Sequence, residues 1–236
     1  MTSILISGAN KGLGLETARQ LVAAGHTVFL GSRDISRGIR AAAEVGGQPV
    51  QLDVTDDASV AAAAETVAAL GGLDVLVNNA GIQAEMDTTG VPSGAADLTA
   101  DMMRTTLETN VIGAVRVLHA FLPLLQRSSA PVVVNVSSGL ASLTRLSDPQ
   151  QRASHYPGVA YPTSKAALNM ITVQFAKAFP AMRINSVEPG FTKTDLNHHT
   201  GFQSVEEGAA TIVRLALLGP DGPTGGYFDA TGVIPW

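Results

Sequence analysis

The chain has 236 residues, 45% of them apolar and 15% charged, with 15 basic side chains against 20 acidic ones. That balance excludes a disordered chain, and a net charge of -5 argues against nucleic acid as the main partner. Cysteine is absent, which excludes disulfide scaffolds, cysteine-ligated zinc and thiol nucleophiles together. No apolar run approaches the roughly 20 residues that span a bilayer. Residues 1–8 lack the basic segment of a secretory leader. A cytoplasmic α/β enzyme is the expectation, built from unusually small side chains: 34 alanines and 24 glycines.

Short β-branched runs alternate with longer Ala/Leu-rich stretches, the pattern of βαβ units around a parallel sheet. The spacing predicts a strand over 4–6, a helix over 13–24 stopped at Gly25, a strand over 28–30 and a helix over 33–45. A strand over 50–54 and an acid-led helix over 57–70 follow, then a strand over 75–77 and one long helix over 99–126. The last elements are a strand over 131–136, a helix over 161–178, a strand over 184–187, a helix over 205–218 and a short strand over 226–229. These strands are continuously apolar, as burial on both faces requires. About seven parallel strands with helices on both faces, in one domain over 1–236, is the predicted architecture, the cofactor half over about 1–135 and the catalytic half over about 136–236.

The first strand runs directly into Ser7-Gly8-Ala9-Asn10-Lys11-Gly12-Leu13-Gly14 and then a helix. Glycines there allow a tight turn and bring backbone N–H groups up to a pyrophosphate at the helix N-terminus. The same spacing also serves a plain strand-to-helix turn, and the position after the first strand favours the nucleotide. The second strand ends Leu30-Gly31-Ser32-Arg33-Asp34, with Arg37 one turn later. A small Ser32 followed by Arg33 suits a ribose 2′-phosphate, with Lys11 and Arg37 adding charge, so NADP(H) is expected before NAD(H). Arg33 and Arg37 also read as solvated helix-start residues, and Asp34 is a competing signal for NAD.

Tyr161 and Lys165 stand four residues apart at the start of a helix, so phenol and ammonium face one cleft. The ammonium would lower the phenol toward the working range of a general acid. Ser138 ends the fifth strand, where a parallel sheet places ligand-contacting groups; capping the next segment is its other reading.

With these residues together, the chain resembles a classical short-chain dehydrogenase/reductase. The glycine turn 7–14, Asp53-Val54, Asn78-Asn79-Ala80-Gly81, Asn110, the segment 135–138, Tyr161 to Lys165 and the segment 185–190 follow the family order. The resemblance implies a Rossmann-type fold and hydride transfer between NAD(P)(H) and a carbonyl or alcohol carbon. By the same resemblance Tyr161 is the acid/base, Lys165 lowers its pKa and holds the nicotinamide ribose, and Ser138 bonds the substrate oxygen. Asn110 would hold a water that extends a proton relay through Lys165. Asn10 and Leu13 would line ribose and pyrophosphate, Asp53 and Val54 the adenine, and Asn79, Ala80 and Gly81 the ribose. Pro189 and Gly190, with Thr192 and Thr194 as principal contacts, would meet the carboxamide and phosphates. Asn78-Asn79 also reads as a plain strand-ending turn.

Ser7 replaces the family's usual threonine and keeps the hydroxyl. Ser138 and Tyr161 are 23 residues apart, wider than the family's common spacing, and the enlarged segment 143–159 resembles the carbonyl-reductase branch. In that branch the insert bears on assembly, which leaves monomer and homo-oligomer both open. His198-His199 have no carboxylate at ligand spacing and, with Leu196 and Phe202, read as a loop over the substrate; no metal site is expected. Trp236 reads as a packing anchor. The reading that results is NADPH-dependent reduction of a small to medium ketone or aldehyde. NAD-linked alcohol oxidation on the same fold is the alternative, and a non-catalytic dinucleotide-binding sensor the remote one.

Overall fold

Successive residues of the central strands enter different cores, because a strand points alternate side chains to opposite faces. Ile4, Ile6, Val28, Leu30, Val75, Val77, Val132 and Val134 bury on one side of the sheet, and Leu5, Phe29, Leu76, Val133 and Ile184 on the other. Both sides are covered, which is why the strands lack polar alternation.

The computed structural model describes residues 1–87 and 89–236. The strands are β1 (Ser3–Ile6), β2 (Thr27–Ser32), β3 (Gln48–Gln51), β4 (Val75–Asn78), β5 (Val132–Val136), β6 (Arg183–Val187), β7 (Tyr227–Asp229) and β8 (Gly232–Val233). They form one sheet in the order β3-β2-β1-β4-β5-β6-β7-β8, parallel up to β7, with β8 antiparallel at the edge. The helices are α1 (Gly12–Ala23), α2 (Ile35–Val45), α3 (Asp57–Ala69), α4 (Ala100–Leu107), α5 (Gly113–Leu125), α6 (Leu143–Leu146), α7 (Ala160–Ala178) and α8 (Val205–Ala216). Residues of α1, α2 and α8 fill the first core, and those of α3, α5 and α7 the second. Connections run to opposite sides from β1, so the strand order reverses between β1 and β4, the place where open α/β sheets bind ligands.

Small residues let the helices lie close. A Cβ on Gly113 of α5 would come within 2.9 Å of Val54 Cγ2, and one on Gly208 of α8 within 2.8 Å of Leu13 Cδ2. Here the many glycines have a packing reason.

Four local differences from the sequence expectation have physical causes. The third strand ends at Gln51 because Asp53 Oδ1 accepts from both Thr55 N (2.9 Å) and Thr55 Oγ1 (2.7 Å), which turns the chain away. α2 begins at Ile35, since the Asp34 side chain caps it by accepting from Arg37 N. The long helix over 99–126 is interrupted by one π-helical turn, Glu108–Ile112, between α4 and α5. An eighth strand, only two residues long, follows a turn closed by the Asp229 carboxylate.

Buried polar groups tie strands to α7. Asn135 accepts from Asn78 Nδ2 at 2.9 Å and donates to Thr172 Oγ1 at 2.8 Å, and that hydroxyl lies 2.8 Å from Ser186 Oγ. Asn135→Ala should lower the unfolding free energy by about 1–3 kcal/mol, since its partners remain buried with fewer bonds. Urea denaturation measures this, and a loss below about 0.5 kcal/mol would show the ladder to be replaceable.

Candidate active site

The glycine turn works by close approach. Gly8 and Gly12 adopt φ of +65° and +56°, a region that side chains disfavour. A Cβ on Gly14 would lie 2.5 Å from Asn79 Nδ2. The turn is stitched to the segment after β4: Ser7 Oγ accepts from Asn79 N and Ala80 N, both at 3.0 Å, and Asn79 Nδ2 donates to Ser7 O at 2.9 Å. The double asparagine therefore does more than end a strand.

A cleft of ≈ 640 Å³ opens along this edge of the sheet. It is lined by Gly8, Asn10, Lys11, Gly12, Leu13, Gly14, Arg33, Arg37, Asp53, Val54, Asn79, Ala80, Gly81, Tyr161, Lys165, Pro189 and Thr194, all singled out from sequence. The part of the cleft formed by the turns after β1 and β2 holds the basic residues Lys11, Arg33 and Arg37. Arg37 Nε lies 3.3 Å from Asp34 Oδ2, and Lys11 Nζ donates to Asp195 Oδ2 at 2.7 Å. Arg33 forms no ion pair among the described residues, though its charge helps hold the Asp53 carboxyl below its ordinary value; the backbone N–H of Thr55 is the larger cause.

Asn110, Ser138, Gly190 and Thr192 do not line this cleft. Thr192 packs into its own turn. Its side chain is 3% exposed and turned inward, donating to Gly190 O (3.1 Å) and packing where a Cβ of Gly208 would stand. Gly190 takes φ +87° and makes that turn possible. Asn110 sits in the π-helical turn, behind the cleft wall. Its Oδ1 accepts from Ile82 N at 2.8 Å, and its Nδ2 donates to Ile82 O and Ser164 Oγ, each at 2.9 Å. A Cβ on Gly81 would lie 3.4 Å from both Asn110 Oδ1 and Lys165 Nζ, so the two side chains flank one point.

Lys165 is 3% exposed and donates from Nζ to Val136 O at 2.7 Å. Burial lowers its pKa to about 8. The Tyr161 phenol is pushed up to about 12 by burial; the neighbouring Ser138 hydroxyl draws it partway down and the Glu188 carboxylate adds to the rise. Lys165 is not among the groups that set this value. The ammonium is engaged by Val136 O, 5.6 Å from the ring centroid, and is itself weakened by burial. Ser138 Oγ caps the turn Gly139–Ala141 by accepting from Leu140 N, the second of its readings, and its hydroxyl also acts on Tyr161.

Three groups around these residues escaped the sequence reading of roles. Tyr227 OH donates to the backbone carbonyl of Ser138, and Trp236, itself 40% exposed, stacks on the Tyr227 ring at 5.3 Å. Glu188 is raised by burial. Glu85, 1% exposed, accepts from backbone N–H groups at the start of α7; its only sequence signal is being the single charge between Asp74 and Asp87. On the outer side, the guanidinium of Arg152 lies over Phe191 and Phe202, bringing the segment 143–159 against the loop 191–203. His198 lines the cleft, whereas His199 Nε2 pairs with Asp195 Oδ1 at 3.0 Å. Among the described residues no group of three His, Asp or Glu side chains is placed to hold a metal, and no helix is long and apolar enough to cross a membrane.

A family model described as short chain dehydrogenase matches residues 2–203. The chain belongs to the short-chain dehydrogenase family. It is 36% identical to short-chain dehydrogenase/reductase 1 of Saponaria officinalis over 98% of this chain and 95% of that protein. It is 37% identical to a (+)-neomenthol dehydrogenase of Arabidopsis thaliana over 95% of each. Among solved structures, salutaridine reductase from Papaver somniferum superposes with a TM-score of 0.84 at 30% identity, covering 97% of this chain and 99% of that one. An NADPH-bound carbonyl reductase from chicken fatty liver gives 0.86 at 27% identity, covering 100% and 99%. This short-chain dehydrogenase is accordingly an oxidoreductase of CH–OH and C=O groups, of a family that binds a nicotinamide dinucleotide.

Buried Lys165 sets a pH signature. Its folded-state pKa of about 8 lies below the unfolded 10.5, so the unfolded state binds more protons between those values. The penalty is fully present below about 8 and is relieved as pH rises toward 10.5. Wild-type protein should therefore gain stability relative to Lys165→Met between about pH 7 and about pH 10, measured as the difference between paired urea titrations. A difference that stays flat would place the ammonium in water.

Proposed function

We propose that this oxidoreductase reduces a small to medium, largely apolar ketone or aldehyde with NADPH, Tyr161 serving as the general acid. The observation that carries this reading is that Tyr161 and Lys165 share the wall of the cleft, with the Ser138 hydroxyl beside the phenol and burial holding the phenol protonated at neutral pH. A proton donor is what carbonyl reduction requires. Relatives named for alicyclic ketones and alcohols, (+)-neomenthol dehydrogenase and (-)-isopiperitenone reductase of Mentha piperita, support a substrate of similar size and polarity. Ile82, Met86 and Leu196 also line the cleft and provide an apolar surface for it.

The cradle fits a dinucleotide, since a Cβ on Gly8 would meet Ala80 Cα at 3.0 Å and one on Gly14 would meet Asn79. NADPH when bound supplies the hydride. Asn10, Leu13, Asp53, Val54 and the segment 79–81 would hold the two nucleosides, and Pro189 and Thr194 the carboxamide side. Arg33, Arg37 and Lys11 would take the 2′-phosphate, a choice supported by the engagement of Asp34 as the cap of α2. Ser138 hydrogen-bonds the carbonyl oxygen and orients it toward the phenol. Tyr161 gives that oxygen a proton. Lys165, anchored on Val136 O, stabilises the phenolate that results, and Asn110 orders a water that returns the proton.

Arg33→Ala should weaken NADPH binding about 10- to 100-fold while changing NADH binding little, as read by fluorescence titration of both cofactors. Equal losses for the two would refute the 2′-phosphate assignment. Tyr161→Phe should lower kcat by about 10²- to 10⁴-fold on a carbonyl panel assayed by NADPH oxidation, with cofactor affinity retained. Normal turnover in that variant would remove Tyr161 from the chemistry.

A further inference from the structure

Glu85 is a fully buried carboxylate outside the Ser138, Tyr161 and Lys165 group. It is carried by the segment that leaves β4, four residues beyond Gly81. Its Oε2 accepts from Val159 N at 2.9 Å and Ala160 N at 2.5 Å, and its Oε1 from Tyr161 N at 3.0 Å and Tyr156 OH at 3.3 Å. The first turn of a helix presents N–H groups with no partner inside the helix. α7 receives no side-chain cap from Val159, the residue before it. Glu85 supplies that cap from 74 to 76 residues away in sequence.

The acceptor count is complete. An ionised carboxylate offers about four acceptor sites and no donor, and here two donors face each oxygen. The space for it is also built: a Cβ on Gly158 would fall 2.5 Å from Glu85 Oε1 and 2.6 Å from Tyr156 Cε1. The Tyr156 hydroxyl in turn accepts from Gln83 Nε2 at 3.3 Å, and Gln83 lines the cleft. One side chain thereby fastens the insert, the cofactor segment 79–83 and the catalytic helix at one point.

We propose that Glu85 is a positioning residue for Tyr161, setting the placement of the phenol through the backbone N–H groups of residues 159–161. The inference rests on Tyr161 being the proton donor. A cap that served stability alone would have no need to grip the backbone of the reacting residue from the chain segment that lines the cofactor cleft. Misplacement of a reacting group by about 1 Å costs about 100-fold in rate.

Glu85→Gln keeps the shape but turns an N–H₂ toward N–H donors. In the full-length protein with NADPH and menthone, single-turnover reduction should slow about 10- to 100-fold. NADPH affinity and menthone KM should each stay within about 3-fold, and 4-deuterated NADPH should report a full isotope effect on the slowed step. Glu85→Asp should recover part of the rate, and Gly158→Ala should reproduce the loss by displacing the carboxylate from the other side; it decides the matter if Glu85→Gln does not fold. Wild-type single-turnover rates in the folded, NADPH-bound variants, or losses that track only the folded fraction, would overturn the proposal. A wild-type protein that binds NADPH yet reduces neither menthone nor any other carbonyl of a panel overturns the functional reading and this inference together. An active wild type with an indifferent Glu85→Gln overturns the inference alone.

Discussion

Where the strand order reverses, the turns after β1 and β4 leave backbone donors and acceptors that no neighbouring strand can pair. Buried backbone groups without partners are costly, so this point has to be satisfied by side chains. Ser7 and Asn79 do so reciprocally, the hydroxyl taking two N–H groups and the amide giving to carbonyls of the opposing turn. The cleft follows from that stitch. It holds the glycine turn and the segment 79–81 at one separation, and it leaves room only for a glycine at position 14.

From there the structure reaches α7 through polar contacts that end mostly on backbone atoms. Asn110 grips both polar groups of Ile82 and passes to Ser164 on α7, whose hydroxyl donates to Tyr161 O. Lys165 rests on Val136 O, and the carbonyl of Ser138 is held by Tyr227. Backbone anchors are fixed by the sheet and its helices and do not depend on a neighbour's rotamer. Such supports suit a site whose groups must hold their places to a fraction of an ångström.

Much of this was legible in the sequence where chemistry and local spacing coincide. Apolar runs of three residues, at 4–6, 28–30, 75–77 and 132–134, announced the two-sided sheet, and the four-residue step from Tyr161 to Lys165 put both groups in one cleft. The lining residues of the glycine turn were readable because a positive φ or a close approach demands glycine. Three things were not readable. The inward turn of Thr192 depends on Gly208, sixteen residues on, and the π-helical turn leaves the apolar periodicity of 99–126 almost intact. Glu85 acts on residues more than 70 positions away, and no local pattern marks a cap contributed at that distance. The rise in the Tyr161 pKa belongs to the same class, since burial comes from tertiary packing while the lysine at i+4 is visible in the sequence.

The turn Glu108–Ile112 holds one residue more than an α-helix accommodates over the same length, and each residue rotates a helix by about 100°. α4 and α5 are therefore out of phase with one another, and that offset is what aims Asn110 at Ile82 while α5 keeps Val117, Leu118 and Phe121 in the core. Loops elsewhere in such a fold tolerate insertions and deletions, but here length is quantised. Removing one residue would yield a more regular helix whose register satisfies either the core or the asparagine, and never both.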